Sequence, residues 1–235
     1  MSGAKARCHF AWRDENLRLS HSALSRSGGP VNESILAQGV DAGMLYNGNG
    51  NRYMNTKDIV YIALFAALTA VLGLFPPITL PITGVPVTAQ SLGPMLAGAI
   101  LGARRGGLSI VLFLVLVALG LPLLSGGRGG FGVMIGVTGG FIFGWAVSAF
   151  VIGLLIEKFW NSLNVINAAL SIAFGGIVVL YALGNAWVAV VAEISYWQAT
   201  VGAAPFLIGD VIKVAIATAA CLAVRKSYPL ISKSA

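Results

Sequence analysis

Asp210 and Lys213 stand three positions apart in the apolar stretch "PFLIGDVIKVAIATAA". If the stretch is helical, that spacing puts both side chains on one face. Pro205 suits the first turn of such a helix. At the usual rise per residue, Asp210 then lies about 8 Å and Lys213 about 12 Å along it. Ionisable groups at that depth in an apolar run are costly and ordinarily mark a substrate or ion path. The plainer alternative is an ion pair that only locks the helix. A bare pair offsets its desolvation poorly, whereas a bound polar molecule completes its hydrogen bonds, so the pair reads as a binding site.

Arg128, in "LSGGRGGFG", is the second candidate. A solvated loop arginine is the plainer reading; an anion contact at the mouth of a pocket is the functional one. Gly126, Gly127, Gly129 and Gly130 beside it let backbone approach a ligand closely. Weaker candidates are amides and hydroxyls in apolar surroundings: Gln90, Asn185 near Tyr181 and Trp187, and Thr138 beside Gly139 and Gly140. Buried amides often only satisfy backbone groups. Gly132, Gly136, Gly140 and Gly144 recur every fourth residue and predict one smooth stripe for close helix packing, part of which can line a pocket. Ala63 with Ala67, and Ala66 with Ala70, are small-xxx-small pairs that permit tight contact with another helix, within the chain or in a partner.

These residues sit in a chain of 235 residues, 57% hydrophobic and only 10% charged. Twelve charged residues fall between Lys57 and Lys226, and the apolar runs between them reach the length of a membrane span. So many runs in succession leave too little polar surface for a soluble protein. The pattern predicts an all-α, polytopic membrane protein with spans near 57–75, 87–103, 106–124, 131–156, 165–192 and 205–224. The prolines of "PPITLPITGVPVTAQ" break the chain between the first two. Non-helical backbone there must be buried in protein or line a cavity. Six spans put Arg52, Lys57, Arg104, Arg105, Lys158, Arg225 and Lys226 on one side and Arg128 on the other. The positive-inside rule then places both termini in the cytoplasm. Residues 1–53 are polar, with six positive and four negative charges, and read as a disordered tail or an upstream extension, because Met54 opens a second plausible start. The membrane domain is 54–226, and 227–235 a short cytoplasmic tail.

Several function classes are excluded. The net charge is +7, but no run of Lys and Arg exceeds two, which argues against nucleic acid. Both histidines, His9 and His21, lie in the tail, so the apolar part holds none for a metal or a triad. Cys8 and Cys221 imply no disulfide framework. There is no phosphate loop, H-E-x-x-H or CxxC motif. Nothing joins Asp210 and Lys213 as a nucleophile with an activating base, so catalysis is not the reading and no cofactor is expected.

The stretches "GVPVTAQSLGPMLAGAILGARRG", "GLPLLSGGRGGFGVMIGVTGGFIFGW" and "PFLIGDVIKVAIA", in that order and spacing, resemble the BioY family. These are the biotin-binding membrane subunits, or S components, of energy-coupling factor (ECF) transporters. The resemblance covers about 54–225. It departs at "GVTGG", where Val137 takes a position at which proline is expected. It implies a six-helix, multi-pass protein of the bacterial plasma membrane that binds biotin from outside. It also implies partnership with a transmembrane coupling subunit and ATPase subunits. Asp210 and Lys213 match the family's biotin contacts. The small-residue face of the first helix, Ala63, Ala66, Ala67 and Ala70, matches its contact with the coupling subunit.

Biotin fits these residues. Asp210 can accept ureido N–H bonds, Lys213 can donate to the ureido carbonyl, and Arg128 can take the carboxylate. Gln90, Thr138 and Asn185 complete the expected ligand set. A carrier for another vitamin or small acid, working alone as a secondary transporter, is the alternative. Association with a second copy of the chain stays open.

Overall fold

The computed structural model describes residues 54–76, 78–79, 86–227 and 231. The tail 1–53, the centre of the proline-rich stretch and nearly all of 227–235 lie outside the described residues, and so do the expectations placed on them.

Helix α1 is Thr56–Leu72. Asp58 closes its first turn by accepting the Asn55 N–H (3.2 Å), the reach-back half of a capping box. A two-strand ribbon follows, β1 (Ile78–Thr79) antiparallel to β2 (Pro86–Val87), with Ile78 opposite Val87. A 3-10 turn, Ala89–Ser91, leads into α2 (Leu92–Leu101). Gly102 alone separates α2 from α3 (Ala103–Ala118). Its φ of 84° lies in the left-handed region, where a side chain is strained. The N-terminal N–H of α3, which no helical carbonyl reaches, donates from Ala103 to Glu157 Oε1 at 2.8 Å.

The chain then makes a hairpin. Leu124 and Arg128 exchange backbone bonds of 3.0 and 3.2 Å around Ser125, Gly126 and Gly127, both glycines at positive φ. A short α4 (Phe131–Ile135) precedes α5 (Gly139–Lys158). A long helical rod, Val165–Val191, comprises α6 (Val165–Ala173), a π-type segment Phe174–Val179 and α7 (Leu180–Val191). Helix α8 is Tyr196–Ala203 and α9 is Phe206–Ser227.

The described chain is predominantly helical, as the sequence predicts. Three helices are long and apolar enough to cross a membrane: Gly139–Lys158, Val165–Val191 and Phe206–Ser227. The predicted spans 57–75, 87–103 and 106–124 overlap the shorter helices α1, α2 and α3, none of which reaches that length. Helix α3 stops at Ala118, short of the expected 124, because Gly120 takes a positive φ and Pro122 follows. The predicted span 131–156 is not one helix. It breaks at Gly136–Thr138, so the four glycines form no single stripe. Gly140 and Gly144 pack against Trp187 and Leu180, whereas Gly132 faces open space.

One end of the bundle is tied by Asp58 to Arg105 Nε (3.0 Å) and by Glu157 to Ala103. Arg225 joins them, donating to the carbonyls of Leu163 and Trp160 and lying over the Trp160 ring at 5.4 Å. Arg128 sits at the opposite end, where α1 and α3 finish. A core around Ile110, Phe113, Val117, Trp145 and Ala149 joins α3 to α5. A second, around Met95, Ile152, Ile172 and Ala217, joins α2, α5, α6 and α9. Close approach depends on glycine: a Cβ on Gly106 would lie 2.6 Å from the Ala97 carbonyl oxygen. The outer faces are apolar, with Val111, Val115, Phe150, Leu154 and Ile208 exposed. Apolar surface on that scale marks a molecule whose surroundings are not water.

Candidate functional site

Asp210 lies on α9 one turn after Phe206. The same helix exposes Ile208, Val211 and Ile212, so its polar face points inward and its apolar face outward. Only 4% of Asp210 is exposed. Its Oδ1 takes the Lys213 ammonium at 2.8 Å and faces the Ser91 hydroxyl at 3.5 Å. Its Oδ2 accepts the Tyr181 hydroxyl at 2.6 Å. Lys213 Nζ also donates to Ser91 Oγ at 2.8 Å. An amphipathic Asp–Lys pair has thus become a four-residue network drawn from α7, α9 and the turn before α2. A carboxylate offers about four acceptor positions and an ammonium three donors. Three positions and two donors are occupied. One acceptor position, on Oδ2, and one ammonium N–H are left for a bound polar molecule.

These residues line one cavity, whose empty space is about 680 Å³ when the open solvent at its mouth is included. Phe141 and Trp145 of α5, with Leu180 and Phe206, make its apolar wall. Phe141 meets Tyr181 edge-on, ring centres 5.9 Å apart at 89°, which fixes the direction of the tyrosine ring. Arg128 and Thr138 line the same cavity. Arg128 Nε donates to the Ser125 carbonyl at 3.1 Å, which anchors the base of the guanidinium and leaves its two terminal nitrogens for an anion.

Five of the six predicted ligand residues therefore line one cavity: Asp210, Lys213, Arg128, Gln90 and Thr138. Gln90 does so with its amide turned to the protein: Nε2 donates to the carbonyls of Thr69 (3.1 Å) and Leu123 (2.7 Å), and Oε1 accepts the Ser125 N–H (3.1 Å). Asn185 departs from the expectation. It is buried away from the cavity, and its amide donates to Thr200 Oγ1 at 3.3 Å, joining α7 to α8. The sequence reasoning missed Ser91 and Tyr181. A tyrosine in an apolar span carries a signal, since its hydroxyl needs a buried partner; a lone serine carries almost none. Among the described residues no three His, Cys, Asp or Glu side chains gather to hold a metal.

On the first helix, Ala63 and Ala67 are exposed, while Ala66 is buried and Ala70 packs against the core. The two predicted pairs thus lie on different faces, one outward and one inward.

An apolar helical bundle with a polar network at the wall of an internal cavity defines a membrane protein that binds a small molecule. Comparison with known proteins narrows this class. Residues 47–230 match the model of the BioY family, and the chain belongs to that family. It is similar to a biotin transporter BioY from Rhizobium etli, 48% identical over 76% of this chain and 98% of that one. It is also similar to a biotin transporter BioY from Rhodobacter capsulatus, 46% identical over 68% of this chain and 88% of the other. Among solved structures it resembles the S-component for biotin from an ECF-type ABC transporter, with a TM-score of 0.71 and 29% identity, covering 74% of this chain and 95% of that one.

Proposed function

We propose that the chain is the biotin-binding S component of an ECF transporter, crossing the bacterial plasma membrane six times with both termini in the cytoplasm. The observation that carries this reading is the network of Asp210, Lys213, Ser91 and Tyr181 at the cavity wall. Its vacant acceptor and donor match the N–H and C=O of a ureido ring. Arg128, on the glycine hairpin, takes the carboxylate at the mouth, and Phe141 and Trp145 flank the sulfur ring. The ligand's ureido end thus points inward. Names of close relatives and of the structural neighbour, all biotin proteins, support the same assignment.

Binding, not chemistry, is the task of this chain. In this reading the work of transport falls to partners, a transmembrane coupling subunit and ATPase subunits, as the likeness to the S-component of an ECF-type ABC transporter supports. The exposed Ala63–Ala67 face of α1 is the surface for the coupling subunit, where small residues let helices approach. Loss of a partner from a dry polar site costs a few kcal/mol, about a hundredfold in affinity. The test is calorimetric titration of biotin into detergent-purified protein, beside Asp210→Ala and Lys213→Ala. Stoichiometric binding that weakens about a hundredfold in both variants is the expected result. Folded wild-type protein that ignores biotin would overturn the assignment.

A further inference from the structure

Gln90 is 1% exposed, and its amide has no capacity left. A primary amide has two N–H donors and two acceptor sites. Nε2 donates to Thr69 O at 3.1 Å and Leu123 O at 2.7 Å. Oε1 accepts the Ser125 N–H at 3.1 Å and the Ser125 hydroxyl at 3.4 Å. The seat is close-packed as well: a Cβ added to Gly73 would come within 2.7 Å of Gln90 Nε2 and 2.5 Å of the Leu123 carbonyl oxygen. The amide has nowhere to turn and nothing to offer a ligand.

Its partners carry Arg128. Leu123 and Ser125 flank Leu124, the residue whose backbone bonds with Arg128 close the hairpin. The Ser125 carbonyl in turn accepts Arg128 Nε. Gln90 thus grips the hairpin from one side and the last turns of α1, through Thr69, from the other. The next residue in sequence, Ser91, touches Lys213 and Asp210.

We infer that Gln90 is a positioning residue whose amide makes no hydrogen bond to the ligand: it holds the hairpin so that the Arg128 guanidinium stays over the cavity. The inference rests on the reading of Arg128 as the carboxylate contact of bound biotin. Its consequence is selective. Removing the amide disturbs recognition of the ligand's anionic tail and leaves recognition of its ring largely intact.

Two measurements on Gln90→Met, which keeps the side-chain length and lacks the hydrogen bonds, test it. The first needs no ligand: hydrogen exchange of backbone amides in 119–130, compared with α5. Faster exchange in the hairpin, by about tenfold, with α5 unchanged, is expected; unaltered exchange in 119–130 would refute the inference. The second compares biotin with its methyl ester, whose tail is neutral. Gln90→Met is expected to weaken biotin about tenfold, to change the ester less than threefold, and to add almost nothing in an Arg128→Ala background. Equal losses for both ligands, additive with Arg128→Ala, would show a direct contact or general damage instead. Gln90→Asn, which keeps an amide one methylene too short, gives the same comparison if the methionine variant folds poorly. Wild-type protein that binds no biotin would overturn the functional assignment, and the exchange measurement would still decide the role of Gln90.

Discussion

Tyr181→Phe removes one oxygen atom and tests whether the hydroxyl network is real. The ring stays, and so does its edge contact with Phe141 at 5.9 Å, so the cavity wall keeps its shape. What is lost is a 2.6 Å bond from the phenol to Asp210 Oδ2. A hydrogen bond to a charged group contributes about 1.5–3 kcal/mol. Asp210 keeps Lys213 and Ser91 on Oδ1, so Oδ2 alone loses its partner. In the ligand-free protein the loss falls on stability, and the melting midpoint should drop by on the order of 5 °C. In the complex it falls on orientation, because a carboxylate held at one oxygen only is free to rotate away from the ligand's N–H. A cost of about 1.4 kcal/mol there is tenfold in affinity. Thermal unfolding in detergent with and without biotin, together with calorimetry, reads both. A variant that melts and binds as the wild type does would show that the Tyr181–Asp210 bond carries no weight, and the network would reduce to an ion pair with Ser91.

Other parts of the fold make separate predictions. Gly106→Val places a branched side chain against the Ala97 carbonyl, 2.6 Å from where its Cβ would lie; overpacking of this kind costs about 1–3 kcal/mol, read as a lower melting midpoint with little change in biotin affinity of the folded fraction. Glu157→Ala leaves the Ala103 N–H without its 2.8 Å partner and should destabilise by about 1 kcal/mol, as loss of a helix cap does; Glu157→Gln, which retains an acceptor oxygen, should recover most of it in the same melt. Ala67→Leu enlarges an exposed position on α1; biotin binding and the melting midpoint should stay unchanged while co-purification with the coupling subunit is lost. Intact co-purification would remove that face from the interface.

Some of the site was legible because charge is expensive in apolar surroundings. Asp210 and Lys213 had to face inward, and the i, i+3 spacing put them together; Arg128 stood out as the lone basic residue at its end. Ser91 was not legible, and Tyr181 signalled only that its hydroxyl needed a buried partner; that the partner is Asp210, across the fold, leaves no mark in either neighbourhood. Asn185 misled for the complementary reason. An amide in an apolar run demands a partner, but the sequence does not say whether that partner is a ligand or Thr200. The four-residue glycine period presumed a continuous helix and failed where the chain breaks at Gly136–Thr138. The helix ends were misplaced where hydropathy continued past a backbone break, as after Ala118.

The π-type segment Phe174–Val179 had no sequence signature beyond Gly175 and Gly176, yet it decides where Tyr181 points. A π turn holds one residue more than the α-helix around it, and each residue turns a helix by about 100°. The two halves of the rod are therefore out of phase. The two glycines of the segment itself pack on Ile152 and Met95, and Tyr181 follows at the start of α7, with its hydroxyl on Asp210. The segment works like a vernier between two scales. Excising a single residue there would swing the tyrosine off the carboxylate without altering any side chain in the cavity, and relocating the extra residue along the rod would deliver a different side chain to the same place. Change in what such a cavity accepts thus has a route through chain length as well as through substitution.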